Sequence, residues 1–214
     1  MGEMRSRGSR VCRPLVGFDI ETYSPDGFPA QREDPIVAAT LAASPSFGLN
    51  GGLIIVSMIF PPSKEGELLS WLHAMLGAFS GGSMVTYNGR KFDLPYVIHR
   101  GRLRGLDLER PLKEYLQLDV YEAVRAALPA LSSYRQKAVE GLFGFERLVR
   151  DGSGESYHEL FDSFMQAEDL RPVVYNMEDS IGCLRILNCL ATRASGEVEV
   201  RAPKERPCAR CCSH

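Results

Sequence analysis

The chain has 214 residues, 44% of them hydrophobic and 24% charged, with a net charge of -2 at neutral pH. That length allows one sizeable core, and the balance of apolar and charged residues excludes a disordered or fibrous chain. The near-neutral charge excludes a global basic field, so any polyanionic partner has to be held by a local patch or by bound metal. The longest apolar run, 53–60, is interrupted by Ser57 and is too short to cross a bilayer. The arginine-rich start reaches Asp19 before an apolar stretch can form, so no secretory signal is expected and the expected location is cytoplasmic.

Residues 1–12 read as a flexible basic arm, 13–194 as one domain, and 195–214, with Pro203 and Pro207, as a flexible Cys-containing tail. Within the body, 14–21 alternates as a strand, and 36–42 and 53–60 are β-branched or apolar runs separated by Pro- and Gly-rich stretches, the pattern of a meander. Over 64–79, Leu68, Leu69, Leu72, Met75, Leu76 and Phe79 recur at helical spacing, and Gly81-Gly82 ends that helix. A strand over 83–87, an Asn88-Gly89 turn and a helix over 93–102 follow, with Pro95 tolerated in the first helical turn. Residues 116–120 read as a fifth strand. Beyond them the sequence turns helical, with Ser132 or Ser133 as N-cap for 134–143 and a long last helix over about 170–194. Three meander strands followed by alternating helices and strands predict an α/β fold, a mixed five-stranded sheet with helices on both faces.

The six cysteines do not form a disulfide framework for a chain of this length, and reduced thiols are expected. Cys208, Cys211, Cys212 and His214 have zinc-like spacing without a second ligand pair on a separate turn, so a zinc site and a plain Cys-rich tail both stay open.

The acids carry the chemistry. Alternation puts Asp19 and Glu21 on the same face of the first strand, two residues apart, where two carboxylates cost stability unless a cation stands beside them. Asp93 follows the fourth strand at a helix N-terminus, a position it shares with many ordinary N-caps. In the last helix Tyr175 and Asp179 lie four residues apart on one face, continued by Gly182, Ile186 and Leu190. That stripe is expected to pack on the sheet, Gly182 allowing close approach, and to bring Asp179 over the strand end that carries Asp19 and Glu21.

Phe18-Asp19-Ile20-Glu21-Thr22, then Tyr87-Asn88-Gly89-Arg90-Lys91-Phe92-Asp93, then Tyr175-Asn176-Met177-Glu178-Asp179 resemble the three ordered motifs of the DEDD nucleases, of the DnaQ-like branch of the RNase H-like superfamily. The first two are most similar to the exonuclease domain of family-B DNA polymerases. Leu131-Ser132-Ser133-Tyr134 through Gly144 resembles stand-alone YprB-like nucleases. The histidine variant of the family would carry its histidine at position 174, which is Val174, whereas Tyr175 fits the tyrosine type. The resemblance spans about 14–192.

It implies an RNase H-like domain over 13–194 and a 3′-5′ exonuclease acting on single-stranded nucleic acid with a 3′ end, DNA ahead of RNA. Two divalent cations, Mg²⁺ or Mn²⁺, would be bound by Asp19, Glu21, Asp93 and Asp179, with Tyr175 orienting the attacking water. Asn88 and Phe92 would lie near the terminal nucleotide, and Arg100 and Arg102 are candidates for phosphate contacts. No polymerase motifs follow, so editing within this chain is not expected; protein partners in replication or repair are. An RNase H-like endonuclease, an RNA-trimming nuclease and an inactive nucleic-acid-binding module are the alternatives.

Overall fold

β1 (Leu15–Thr22) turns Val16, Phe18 and Ile20 to one side of a sheet and Gly17 and Asp19 to the other, and this alternation sets the layers of the molecule. The computed structural model describes residues 13–29, 31–45, 49 and 51–194. β2 (Ile36–Ser44) and β3 (Ile54–Ile59) complete an antiparallel meander with β1. β4 (Ser83–Thr86) and β5 (Leu116–Asp119) add in parallel on the other edge of β1, giving the order β3-β2-β1-β4-β5. The mixed five-stranded sheet expected from sequence is therefore the observed one. β1 sits at its centre, and its ladder with β2 shifts register between Glu21 and Thr22, beside the carboxylates.

One face is covered by α1 (Glu65–Ala78), α2 (Asp93–Leu103) and the short α3 (Glu109–Leu112). Leu68, Leu69, Leu72 and Leu76 of α1 are buried against Val16, Phe18 and Leu41, as the helical spacing predicts. The α1 end is also pinned by charge. Glu65 is fully buried, accepts a 2.9 Å hydrogen bond from the Ile36 amide, and binds Arg100 through two 2.6 Å contacts.

The other face carries α7 (Arg171–Ala194), flanked by α4 (Val120–Ala127), α5 (Gln136–Leu142) and α6 (Tyr157–Ala167). Its sheet-facing stripe is Asn176, Ser180 and Cys183. Ser180 Oγ donates to the Thr40 carbonyl at 3.2 Å and Cys183 Sγ to that of Val85 at 3.2 Å. The expected stripe through Gly182 lies further round the helix. Gly182 admits α5 instead, since a Cβ there would meet Glu140 Oε1 at 1.9 Å. The glycine that lets α7 approach the sheet is Gly17, whose Cβ would stand 2.2 Å from the Ser180 carbonyl oxygen.

Two further expectations are corrected. The helix predicted over 134–143 begins at Gln136 with Arg135 at the N-cap, and Ser133 Oγ accepts from the Arg135 amide in a turn rather than capping the helix. α6 goes beyond the expected helices, although Tyr157, Leu160, Phe161 and Phe164 recur at helical spacing and mark its buried face. Among the described residues no helix is long and apolar enough to cross a membrane, and Cys183 and Cys189 are free thiols. The proposed basic arm and the tail with Cys208, Cys211, Cys212 and His214 lie outside the described residues.

Candidate active site

Four acids from three elements converge at the end of β1. Oxygens of Asp19, Glu21 and Asp179 all lie within 4.8 Å of one another, although about 160 positions separate the first from the last. Asp93, at the first turn of α2, lines the same cleft and accepts a 3.3 Å hydrogen bond from the Ile20 amide, between the two β1 acids. It is not the N-cap of α2, a place taken by Phe92 without a side-chain bond. Tyr175, one turn before Asp179, also lines the cleft, a cavity of about 620 Å³.

Local geometry explains the convergence. The Asn88 turn is left-handed, with φ +61, and is held by Asp119, whose carboxylate accepts from the amides of Asn88 at 2.9 Å and Arg90 at 3.2 Å while capping α4. This clamp starts α2 beside β1. On the opposite side, Asn176 Nδ2 donates to Asp19 Oδ2 at 2.7 Å, and its Oδ1 accepts from Thr40 Oγ1 at 2.5 Å. The amide thus fixes the Asp19 carboxylate from below.

Burial and mutual repulsion raise the pKa of every acid in the set. Asp19 and Glu21 are lifted well above the usual carboxylate range by burial and then by the charges of Asp179 and Asp93. Burial pushes Asp93 up to about 7, against the lowering effect of the Ile20 amide. Asp179 is raised by burial, with Arg147 pulling the other way. The Tyr175 phenol is likewise raised by burial and by Asp179, so it remains protonated at neutral pH.

The two β1 acids, Asp93, Asn88, Phe92, Tyr175 and Asp179 all line the one cleft, whereas the two arginines do not. Arg100 is 7% exposed and spent on Glu65 and on the Glu33 carbonyl at 2.6 Å, so it cannot reach a phosphate. Arg102 is exposed but pairs with Glu109 away from the cleft. Arg100 is corrected here as a nucleic-acid contact, its guanidinium being buried against Glu65. Phe92 packs on the core and also meets Phe28, whose ring lies 5.3 Å away and is 64% exposed at the cleft mouth.

The exonuclease domain of DNA polymerase family B matches residues 9–110. A DNA polymerase from Methanocaldococcus jannaschii is 28% identical over 189 residues, covering 77% of this chain and 11% of that protein. The chain is similar to the exonuclease domain of family-B DNA polymerases over these residues. A solved family-B polymerase from the hyperthermophilic archaeon Pyrobaculum calidifontis shares the fold, with TM-score 0.66 and 18% identity over 82% of this chain and 24% of that one. The chain thus spans a minor fraction of both relatives' length.

Three further side chains that the motifs did not name stand beside Tyr175 and Asp179. Lys137 stands over the Tyr175 ring, with Nζ 4.6 Å from the centroid, and donates to the Gly152 carbonyl at 2.6 Å. Arg147 binds Asp179 at 2.5 Å and also bonds Glu140. Tyr157, fully buried, packs its ring 5.9 Å from that of Tyr175. Lys137 sits in the first turn of α5. Arg147 follows in a loop with no periodic signal, whereas Tyr157 heads the helical spacing Tyr157, Leu160, Phe161.

The donor set fits a hard divalent cation. Carboxylate oxygens on opposite sides of an ion bound at about 2.0–2.6 Å lie ~4–5 Å apart, the spread of the Asp19, Glu21 and Asp179 oxygens.

Proposed function

We propose that this chain is a metal-dependent 3′-5′ exonuclease on single-stranded nucleic acid, DNA ahead of RNA. The observation that carries the reading is the meeting of Asp19, Glu21, Asp93 and Asp179 with Tyr175 in one cleft, in a chain similar to a polymerase exonuclease domain. Asp19, Glu21 and Asp179 would hold one divalent ion, Mg²⁺ or Mn²⁺, and Asp93 with Asp19 a second. Bound there, the ions supply the positive charge that stabilises the attacking and leaving oxygens of a phosphodiester.

The protein's own groups do the positioning. Asn176 holds Asp19 in one orientation, so the carboxylate is pre-set before substrate arrives. The phenol of Tyr175, kept neutral by burial, donates or accepts a hydrogen bond to orient the attacking water rather than taking its proton. Phe28 and Phe92 offer ring faces at the cleft mouth to the terminal base, and Asn88 a polar contact beside them. Requirement for an unpaired end follows from base access, because a stacked pair hides the faces these rings would meet.

The test is a Mn²⁺ nuclease assay on 3′-labelled, 3′-blocked and circular single strands, beside Asp19→Ala and Tyr175→Phe. Stepwise release of mononucleotides from free 3′ ends, abolished in the first variant and reduced in the second, is the expected result. Cleavage of the circular strand would overturn the exonuclease reading in favour of an endonuclease.

A further inference from the structure

Arg147 stands where the acid cluster meets a second buried carboxylate. Its Nη2 lies 2.5 Å from Asp179 Oδ1 and 2.8 Å from Glu140 Oε1, its Nε bonds Glu140 Oε2, and its side chain is only 8% exposed. Its third nitrogen, Nη1, is buried without a hydrogen-bond partner. Among the described residues this is the one ion pair made by Asp19, Glu21 or Asp179. Lys137, the other nearby cation, is bonded to the Gly152 carbonyl instead.

One guanidinium is therefore shared between a carboxylate of the proposed ion-binding set and a carboxylate outside it. We propose that Arg147 is the built-in counter-charge of the ion-free site, and that a divalent cation entering between Asp19, Glu21 and Asp179 displaces it from Asp179 onto Glu140 alone. This rests on the metal-dependent reading above. The reason is electrostatic. A guanidinium and a dication on one buried carboxylate repel each other, and arginine cannot relieve this by losing its proton. The two bonds to Glu140 keep the side chain anchored after it leaves Asp179.

Two opposed effects follow, and together they separate this role from that of a residue that merely props Asp179. Removing Arg147 weakens the ion-free fold, because the acids lose their partner, yet tightens ion binding, because a competitor is gone. A prop would do the reverse to the ion.

The experiment measures Mn²⁺ affinity by electron paramagnetic resonance of the free ion, and the melting temperature in chelator, for the parent chain, Arg147→Met and the double variant Glu140→Gln/Arg147→Met. The double variant removes both charges of the buried pair, so no carboxylate outside the cluster is left uncompensated. Both variants should bind Mn²⁺ about tenfold more tightly than the parent, equivalent to roughly 1.4 kcal/mol. Arg147→Met should melt lower than the parent in chelator. Equal or weaker Mn²⁺ binding by the folded double variant, with the parent binding normally, overturns this inference and leaves the metal-dependent reading intact. Failure of all three proteins to bind Mn²⁺ overturns both.

Discussion

Replacing Gly17 with alanine places a methyl group into the contact between the central strand and the last helix. The added Cβ would stand 2.2 Å from the Ser180 carbonyl oxygen and 3.0 Å from Leu184 Cγ. An ordinary contact needs ~3.4 Å or more, so the shortfall is about 1 Å. The obstacle is helix backbone rather than a side-chain tip, so relief requires moving α7 or bending β1. Overpacking of this kind costs about 1–3 kcal/mol, and a clash with backbone belongs at the upper end. For a domain of this size, 3 kcal/mol lowers the melting temperature by roughly 6–12 °C. The function is expected to suffer more than the stability. Ser180 adjoins Asp179, so a shift of about 1 Å there separates Asp179 from Asp19 and Glu21, and misplacement on that scale costs about a hundredfold in rate. Thermal melts followed by circular dichroism, with Mn²⁺ titrations on the same preparations, test both parts. A Gly17→Ala protein that melts within 2 °C of the parent (roughly 0.5 kcal/mol) and binds Mn²⁺ equally well would refute the argument that this glycine sets the distance between helix and strand.

Four other outcomes are expected. Glu65→Gln leaves the buried Arg100 guanidinium without its charge partner and should cost about 3–5 kcal/mol in chemical denaturation while leaving Mn²⁺ affinity as it was; a loss under 1 kcal/mol would remove the pair as a structural anchor. In chelator, the protein should be more stable at pH 5 than at pH 8. Asp93 binds its proton more tightly folded, at about 7, than unfolded, at 3.8, so stability falls as pH rises between the two values, by about 4 kcal/mol for this group; greater stability at pH 8 would contradict the burial argument. The same titration makes Mn²⁺ affinity rise with pH through about 7, since the ligands must be deprotonated. Phe28→Ala, at an exposed ring, should change stability by no more than about 0.5 kcal/mol yet weaken binding of a labelled single strand, measured by anisotropy in an Asp19→Ala background, by about tenfold. Unchanged binding would place the terminal base elsewhere.

Much of the architecture was legible because it depends on periodicity and local chemistry. The alternation of Val16, Phe18 and Ile20 with Gly17, Asp19 and Glu21 fixes which side of β1 faces water-free helix and which carries acids. The leucines of α1 mark a buried helix by spacing alone. The three motifs named the four acids and Tyr175, and their order suited one cleft.

Arg100 shows where this reasoning ended. A basic residue past the second motif has the same sequence signature whether it meets a phosphate or a buried carboxylate, and only packing brings Glu65 to it from 35 positions away. Gly182 and Gly17 illustrate the same limit, since a glycine announces close approach without saying to what; one admits α5 and the other α7. Asn176, Lys137 and Arg147 reach Asp19, Tyr175 and Asp179 as single side chains from other elements, which leave no period to detect. By itself the amino-acid order determined the strands, helices α1, α2 and α7 and the identity of the acids, because those depend on near neighbours and on repeating faces. The tertiary structure alone decided which cations stand beside the acids and how tightly each carboxylate holds its proton, because charge acts through space at a few ångströms regardless of distance along the chain.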